Sequence, residues 1–251
     1  MNNTILTITY LILTAIGCSQ QSVPTIRYKL KKILPHNPAS FTQGLVVANN
    51  KIYESTGLYG KSSLQQHQWP QGTLEKKINI NKAFFGEGIA LYGKTLWQLT
   101  WREHVVFVYD IKSFKLIKKY DYPGEGWGLT HDGESFIMTN GTRCYQYRSH
   151  NQFSLLKEVC LNHPITSRWQ LNDITYQNGY LYANIFYHDL IAKIEAKTGK
   201  LVGMINLQEL RKKIPKNQHI DVLNGISSVS ENTLLITGKF WPYMFYIELK
   251  P

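Results

Sequence analysis

Residues 44–56 read GLVVANNKIYEST, and this stretch decides the fold because its pattern returns four more times. Apolar and β-branched residues run up to Asn49-Asn50, a dipeptide suited to a two-residue reversal, and a second alternating run then ends on polar residues. The other copies are GIALYGKTLWQLT from Gly88, GLTHDGESFIMTN from Gly128, DITYQNGYLYAN from Asp173 and GISSVSENTLLITG from Gly225. Each reads as strand, tight turn, strand. Two further strands fit between successive copies, as in VVFVYD at 105–110 followed by KLIKKYDY at 115–122. Four short strands repeated every forty to fifty residues or so make the blade of a propeller. A β-sandwich also uses short strands at regular spacing, but it does not call for five copies of one hairpin phrase. The expectation is an all-β chain forming a five-bladed β-propeller.

The 251-residue chain is long enough for one such domain, and its Gly and Pro are scattered rather than clustered. The first residues differ in character. TILTITYLILTAIG, from Thr4 to Gly17, carries no charge and is too short to span a bilayer as a stable helix. Residues 1–17 are therefore expected to be a signal peptide, residues 18–33 an N-terminal tether and first strand, and residues 34–251 the propeller and catalytic domain. Ala15-Ile16-Gly17-Cys18 resembles a lipoprotein cleavage box, which makes Cys18 a candidate for lipidation and the protein an exported one, periplasmic or anchored to a bacterial membrane.

Export affects the reading of Cys144 and Cys160, which sit in alternating segments about one hairpin apart. They are either a disulfide bridging neighbouring strands or two buried thiols. No CxxC pair or Cys/His cluster suggests a metal. The formal net charge of +11 is spread over separated Lys-rich pieces, at 28–32, 115–119 and 211–216, without interleaved aromatic residues. These read as solvated faces, and no nucleic-acid partner is expected.

Polar and aromatic residues gather where each repeat begins: Phe41 and Gln43 before Gly44, Phe85 and Glu87 before Gly88, Glu125 and Trp127 before Gly128, Asn172 before Asp173, Asn224 before Gly225. In a propeller the inner strands converge on one axis, so residues far apart in sequence meet at one channel mouth. The glycines there suit positive φ or close approach of crowded backbones.

FTQGL, YESTGLYGKSSL, FGEGI, QLTW, EGWGLT, YAN, VLNGI and TGKFWP occur in this order from residue 41 to 242. Together they resemble the plant and bacterial type of glutaminyl-peptide cyclotransferase, over a stretch from about Leu34 to the C-terminus. The resemblance implies a five-bladed propeller that closes an N-terminal glutamine of a peptide or protein into pyroglutamate and releases ammonia. It implies no cofactor and no catalytic metal. The family's functional positions fall on Phe41, Gln43, Phe85, Glu87, Trp101, Trp127, Asn172 and Lys239. Two departures stand out: the family's LNELE is Leu171-Asn172-Asp173-Ile174-Thr175 here, and a tryptophan often found after YAN is replaced by Ile185-Phe186, leaving Phe186 as a smaller pocket wall.

The chemistry explains these residue types. The α-amine attacks the γ-carboxamide of its own residue, so holding the folded-back conformer supplies much of the acceleration. Phe41, Phe85, Trp101 and Trp127 are suited to enclose that residue and exclude water. One carboxylate can take the proton of the ammonium and return it to the leaving nitrogen, and Glu87 is the candidate, its pKa raised by aromatic burial. Gln43, Asn172 and Lys239 are candidate donors to the developing oxyanion or the substrate carbonyl. Trp97, Trp169 and Trp241 read as core or rim, and the histidines as structural or exposed. A propeller that binds a peptide or ligand without transforming it is the alternative, and a calcium-dependent lactonase ranks third, since few carboxylates converge. A closed propeller has no free edge that requires a partner, so a monomer is expected.

Overall fold

A computed structural model describes residues 22–250. The expected signal peptide and the candidate lipidation site at Cys18 lie outside them. Strand β1 (Tyr28–Pro35) comes first, and three blades follow in strict chain order. They are β2–β5 (Thr42–Ala48, Lys51–Thr56, Ser63–Gln68, Leu74–Asn79), β6–β9 (Gly86–Tyr92, Thr95–Thr100, Val105–Asp110, Leu116–Asp121) and β10–β13 (Leu129–His131, Phe136–Thr139, Cys144–Arg148, Leu155–Cys160). The fourth blade is β14–β17 (Leu171–Gln177, Tyr180–Ile185, Leu190–Glu195, Leu201–Asn206), and β18–β20 (Leu223–Ser230, Thr233–Gly238, Tyr243–Leu249) begin the fifth. Each blade is a four-stranded antiparallel sheet, and the fifth is completed by β1, in the order β1-β20-β19-β18. The first strand expected before residue 34 thus runs to Pro35 and is the outer strand of the last blade, so the ring is closed by pairing the start of the domain to its end.

The hairpin reading of the repeats holds strand for strand. Asn49 and Asn50 both adopt positive φ, 53° and 56°, which gives the reversal the twist that matches its flanking strands. Apolar residues alternate inward to pack between blades, with Trp97, Trp169 and Trp241 all buried there. Cys144 and Cys160 are direct cross-strand partners on β12 and β13 and are joined as a disulfide.

Crowding at the axis accounts for the glycines. A Cβ on Gly88 would lie 2.6 Å from the Cα of Gly128, and one on Gly128 would lie 2.3 Å from the carbonyl oxygen of Asn172, so neither position tolerates a side chain. Close approach is the requirement at these two, whereas Gly225 has φ +102° and needs glycine for its conformation.

Candidate active site

Four inner strands carry an irregularity at their pocket end. Pairing jumps between Thr42 and Gly44, Gly86 and Ile89, Leu171 and Ile174, and Leu223 and Ile226. The residues inside these bulges include Gln43, Glu87, Asn172 and Asn224. A bulge leaves a residue unpaired and re-aims its side chain. Gln43, Glu87, Asn172 and Asn224 thus lie within the strands and are turned out of the ladder, whereas Glu125 and Trp127 precede β10 in a loop.

A second set of residues follows the second strand of a blade: Leu58, Trp101, Phe186 and Lys239. The two sets meet in a cavity of about 280 Å³ lined by Phe41, Gln43, Leu58, Phe85, Glu87, Trp101, Trp127, Asn172, Phe186 and Lys239. All nine expected residues are present. Leu58 is the addition, carried into the lining with φ 84°, a conformation that no spacing rule signals for leucine.

The wall is a closed circuit. Trp101 contacts Phe85 at 5.4 Å between ring centroids, Phe85 meets Phe41 edge-on at 6.1 Å, and the Lys239 ammonium lies 4.5 Å from the Phe41 ring and 5.4 Å from that of Phe186. Phe186 packs on Trp127 at 5.2 Å. Glu125 closes the gap between the two tryptophans: its Oε2 accepts from Trp101 Nε1 at 2.8 Å and from Trp127 Nε1 at 3.0 Å. Arg102 stacks on Trp101 at 3.9 Å and donates to Glu125 Oε1. Burial pushes the Glu125 carboxyl upward, but these three donors outweigh it and hold it below its usual range, so it stays charged.

Glu87 forms the floor with Gln43 and Asn172. Its side chain is buried, Oε1 accepts from Gln43 Nε2 at 2.7 Å, and Oε2 has no partner among the described residues. Burial pushes the Glu87 pKa well above the ordinary carboxylate value; the charges of Asp173 and Glu125 add to the rise, while Lys239 and the Gln43 hydrogen bond oppose it. The Asn172 amide likewise has no partner among the described residues, and its Oδ1 is buried. Lys239 is buried against Phe41 and Phe186; burial lowers its pKa, and Glu87 and Asp221 support its charge.

Gln43, expected as a donor to the substrate, lines the cavity and also holds Glu87 in place. The backbone N–H of Asp173 donates to Asn224 Oδ1, Asn224 Nδ2 donates to Gln43 Oε1, and Gln43 Nε2 donates to Glu87. A backbone N–H only donates, so the direction of every link is fixed: Glu87 Oε1 accepts from Gln43, and Oε2 is the oxygen left without a partner among the described residues. Asp173 itself, where the family carries Glu, lies outside the cavity and braces blade five through the N–H of Ile226 at 2.8 Å. Of the two departures from the family pattern, only Phe186 faces the pocket.

The histidines are not all peripheral. His36 and His67 flank the buried Glu54, with His36 Nε2 at 3.0 Å and His67 Nε2 at 3.4 Å from its oxygens. Among the described residues one group of three potential metal ligands is found, Cys144, Glu158 and Cys160, and its two sulfurs are bonded to each other.

A cup walled by aromatic rings, with a buried carboxyl whose Oε2 has no partner among the described residues, is a site suited to acid–base chemistry in a propeller enzyme. Comparison with known proteins narrows the class. The sequence profile of the family described as glutamine cyclotransferase matches residues 4–249. The chain is 36% identical over 221 residues to the glutaminyl-peptide cyclotransferase of Arabidopsis thaliana, covering 86% of this chain and 69% of that one. Its fold superposes on the crystal structure of Myxococcus xanthus glutaminyl cyclase with a TM-score of 0.79 and 26% identity, over 91% of this chain and 99% of the other. The chain belongs to the glutamine cyclotransferase family.

Proposed function

We propose that this protein cyclises the N-terminal glutamine of peptides and proteins to pyroglutamate, with release of ammonia. The observation that carries the reading is Glu87 Oε2, buried and unpartnered at the floor of the aromatic cup while its other oxygen is held by Gln43. The α-ammonium gives a proton to Oε2, and the freed nitrogen attacks the side-chain carboxamide carbon. The bond from that carbon to the amide nitrogen breaks as Oε2 returns the proton to that nitrogen, ammonia leaves, and the ring nitrogen gives up its second proton to water, which leaves the neutral lactam. The acyl group passes from one nitrogen to another within one residue, which makes the reaction an aminoacyl transfer.

Both reactants arrive together, so the cup's contribution is orientation and exclusion of water, with effective molarities on the order of 10⁵ M or more available to well-placed intramolecular groups. The Asn172 amide, free of protein partners, pairs with the substrate carboxamide amide to amide. Lys239, set in the wall rather than the floor, donates to the main-chain carbonyl of the glutamine. This scheme uses no metal.

The test is ammonia release from a glutaminyl dipeptide by the purified protein in the presence of a chelator, beside Glu87→Gln. Chelator-resistant release that falls by about 10²-fold or more in the variant is the expected result. Absence of release from several glutaminyl peptides by the folded protein sinks the reading in favour of a binding propeller.

Export, with lipidation at Cys18, is part of the proposal and is supported by the uncharged apolar run from Thr4 to Gly17. A Cys18→Ala chain that partitions to membranes like the parent overturns the anchor. A monomer is the accompanying expectation, supported by the closure of the ring through β1 and β20. Sedimentation of a dimer overturns it.

A further inference from the structure

The residue that follows each second-strand pocket residue stands at the rim of the cup: Tyr59 after Leu58, Arg102 after Trp101, Tyr187 after Phe186 and Phe240 after Lys239. Three of these are engaged by neighbours. The Tyr59 hydroxyl donates to Glu103 at 2.7 Å and its ring meets Phe85, Arg102 is tied to Trp101 and Glu125, and Phe240 packs on Phe41 at 5.2 Å. Tyr187 is different. Its only aromatic partner among the described residues is Phe186, at 4.1 Å between ring centroids, and its hydroxyl makes no hydrogen bond among the described residues. It is 75% exposed, the most exposed large apolar side chain of the described residues. It is also held at φ 62°, a left-handed conformation that is costly for an aromatic residue.

A substrate glutamine fills the cup, so the next residue of the peptide must emerge over the rim. The Lys239 ammonium lies 5.4 Å from the Phe186 ring, and a main-chain carbonyl held there directs the emerging chain across Phe186 toward Tyr187. An exposed aromatic face with no protein partner is suited to receive a large apolar or aromatic side chain. We propose that Tyr187, backed by Phe186, is the platform for the residue after the glutamine and gives the enzyme a preference for aromatic side chains at that position. This rests on the cyclisation reading and adds its specificity.

The experiment compares kcat/KM for Gln-Phe and Gln-Gly peptides in the unsubstituted protein, Tyr187→Ser and Tyr187→Phe. The Gln-Phe to Gln-Gly ratio is expected to fall roughly three- to tenfold in Tyr187→Ser, the worth of one aromatic pair, and to be kept in Tyr187→Phe because the ring and not the hydroxyl makes the contact. An unchanged ratio in Tyr187→Ser, or a change of ratio in Tyr59→Ser instead, overturns the platform while leaving cyclisation intact. No ammonia from either peptide with the unsubstituted protein overturns the cyclisation reading itself.

Discussion

Gln43 Nε2 donates to Glu87 Oε1 at 2.7 Å, and the direction of that bond is set two side chains away by the backbone of Asp173 through Asn224. Four of the five blades thus fix one carboxylate: β2 supplies Gln43, β6 Glu87, β14 Asp173 and β18 Asn224. The axial crowding that forces glycine at 88 and 128 brings these strands close enough for side chains to span them.

Asn224→Leu should therefore lower kcat without touching substrate. The variant strands the Gln43 amide, which is then free to flip and present oxygen to Glu87, and it leaves the Thr42 carbonyl without its donor at 3.0 Å. A loss of about 1–3 kcal/mol in stability is expected for the unsatisfied groups. The kinetic signature is a kcat effect larger than the KM effect. Equal kinetics at unchanged melting temperature refutes the relay.

Stability should depend on His36 in a defined pH sense. Its Nδ1 faces the Trp241 carbonyl at 2.6 Å and its Nε2 faces Glu54 Oε1 at 3.0 Å, so both nitrogens donate and the buried ring is an imidazolium. Burial pulls its pKa down, but Glu54 and the carbonyl outweigh this and raise it above the usual histidine value, while the same pair holds Glu54 far below its own. A raised histidine pKa gives stability that is fully present below the unfolded value near 6.5 and is lost as pH rises through the folded value. The Glu54 contribution is present above its unfolded value of 4.5 and is lost as pH falls through the depressed one. The melting temperature should thus decline from slightly acid toward alkaline pH. His36→Gln should remove that slope and cost about 3–5 kcal/mol, the penalty of breaking a buried pair. A slope unchanged in the variant counts against the pair.

The strands and part of the lining were legible in the sequence because both repeat: the fivefold phrase announces the blades, and Phe41, Gln43, Phe85, Glu87, Trp127 and Asn172 gather at its start, whereas Trp101, Phe186 and Lys239 follow the second strand and were implied by the family resemblance. What escaped has no periodicity. Leu58 enters through one loop's backbone conformation, and the partnership of His36, Glu54 and His67 joins three places on separate strands or loops. The role of Glu125 was also hidden, since a carboxylate next to a tryptophan gives no sign that it holds two of them. Closure by β1 likewise depends on the N-terminal strand completing a blade that begins near residue 223, which the five hairpin phrases do not encode.

The Cys144–Cys160 bridge closes a loop of 16 residues between β12 and β13. Chain-entropy arguments put the worth of such a loop at about 3 kcal/mol. Replacing both cysteines by serine should lower the melting temperature while ammonia release below it persists, because the bridge lies in the outer half of blade three, away from the cup. Thiol titration of the denatured, unreduced parent checks the premise: two reactive thiols from this pair would contradict it.

The acid side of the pH–rate profile should move in opposite directions for two wall residues. In the proposed scheme cyclisation begins with Glu87 accepting a proton, so kcat should fall as pH drops through the Glu87 pKa, which burial has raised. The Lys239 charge pulls that pKa down, and Glu125 pushes it up. Lys239→Met removes the pull, and the limb should shift to higher pH. Glu125→Gln removes the push, and the limb should shift to lower pH; it also loosens the tie between Trp101 and Trp127, so KM should rise as well. A wall residue that merely packed would change KM and leave the limb in place. Parallel shifts in both variants, or none in either, would mean that the limb does not report Glu87.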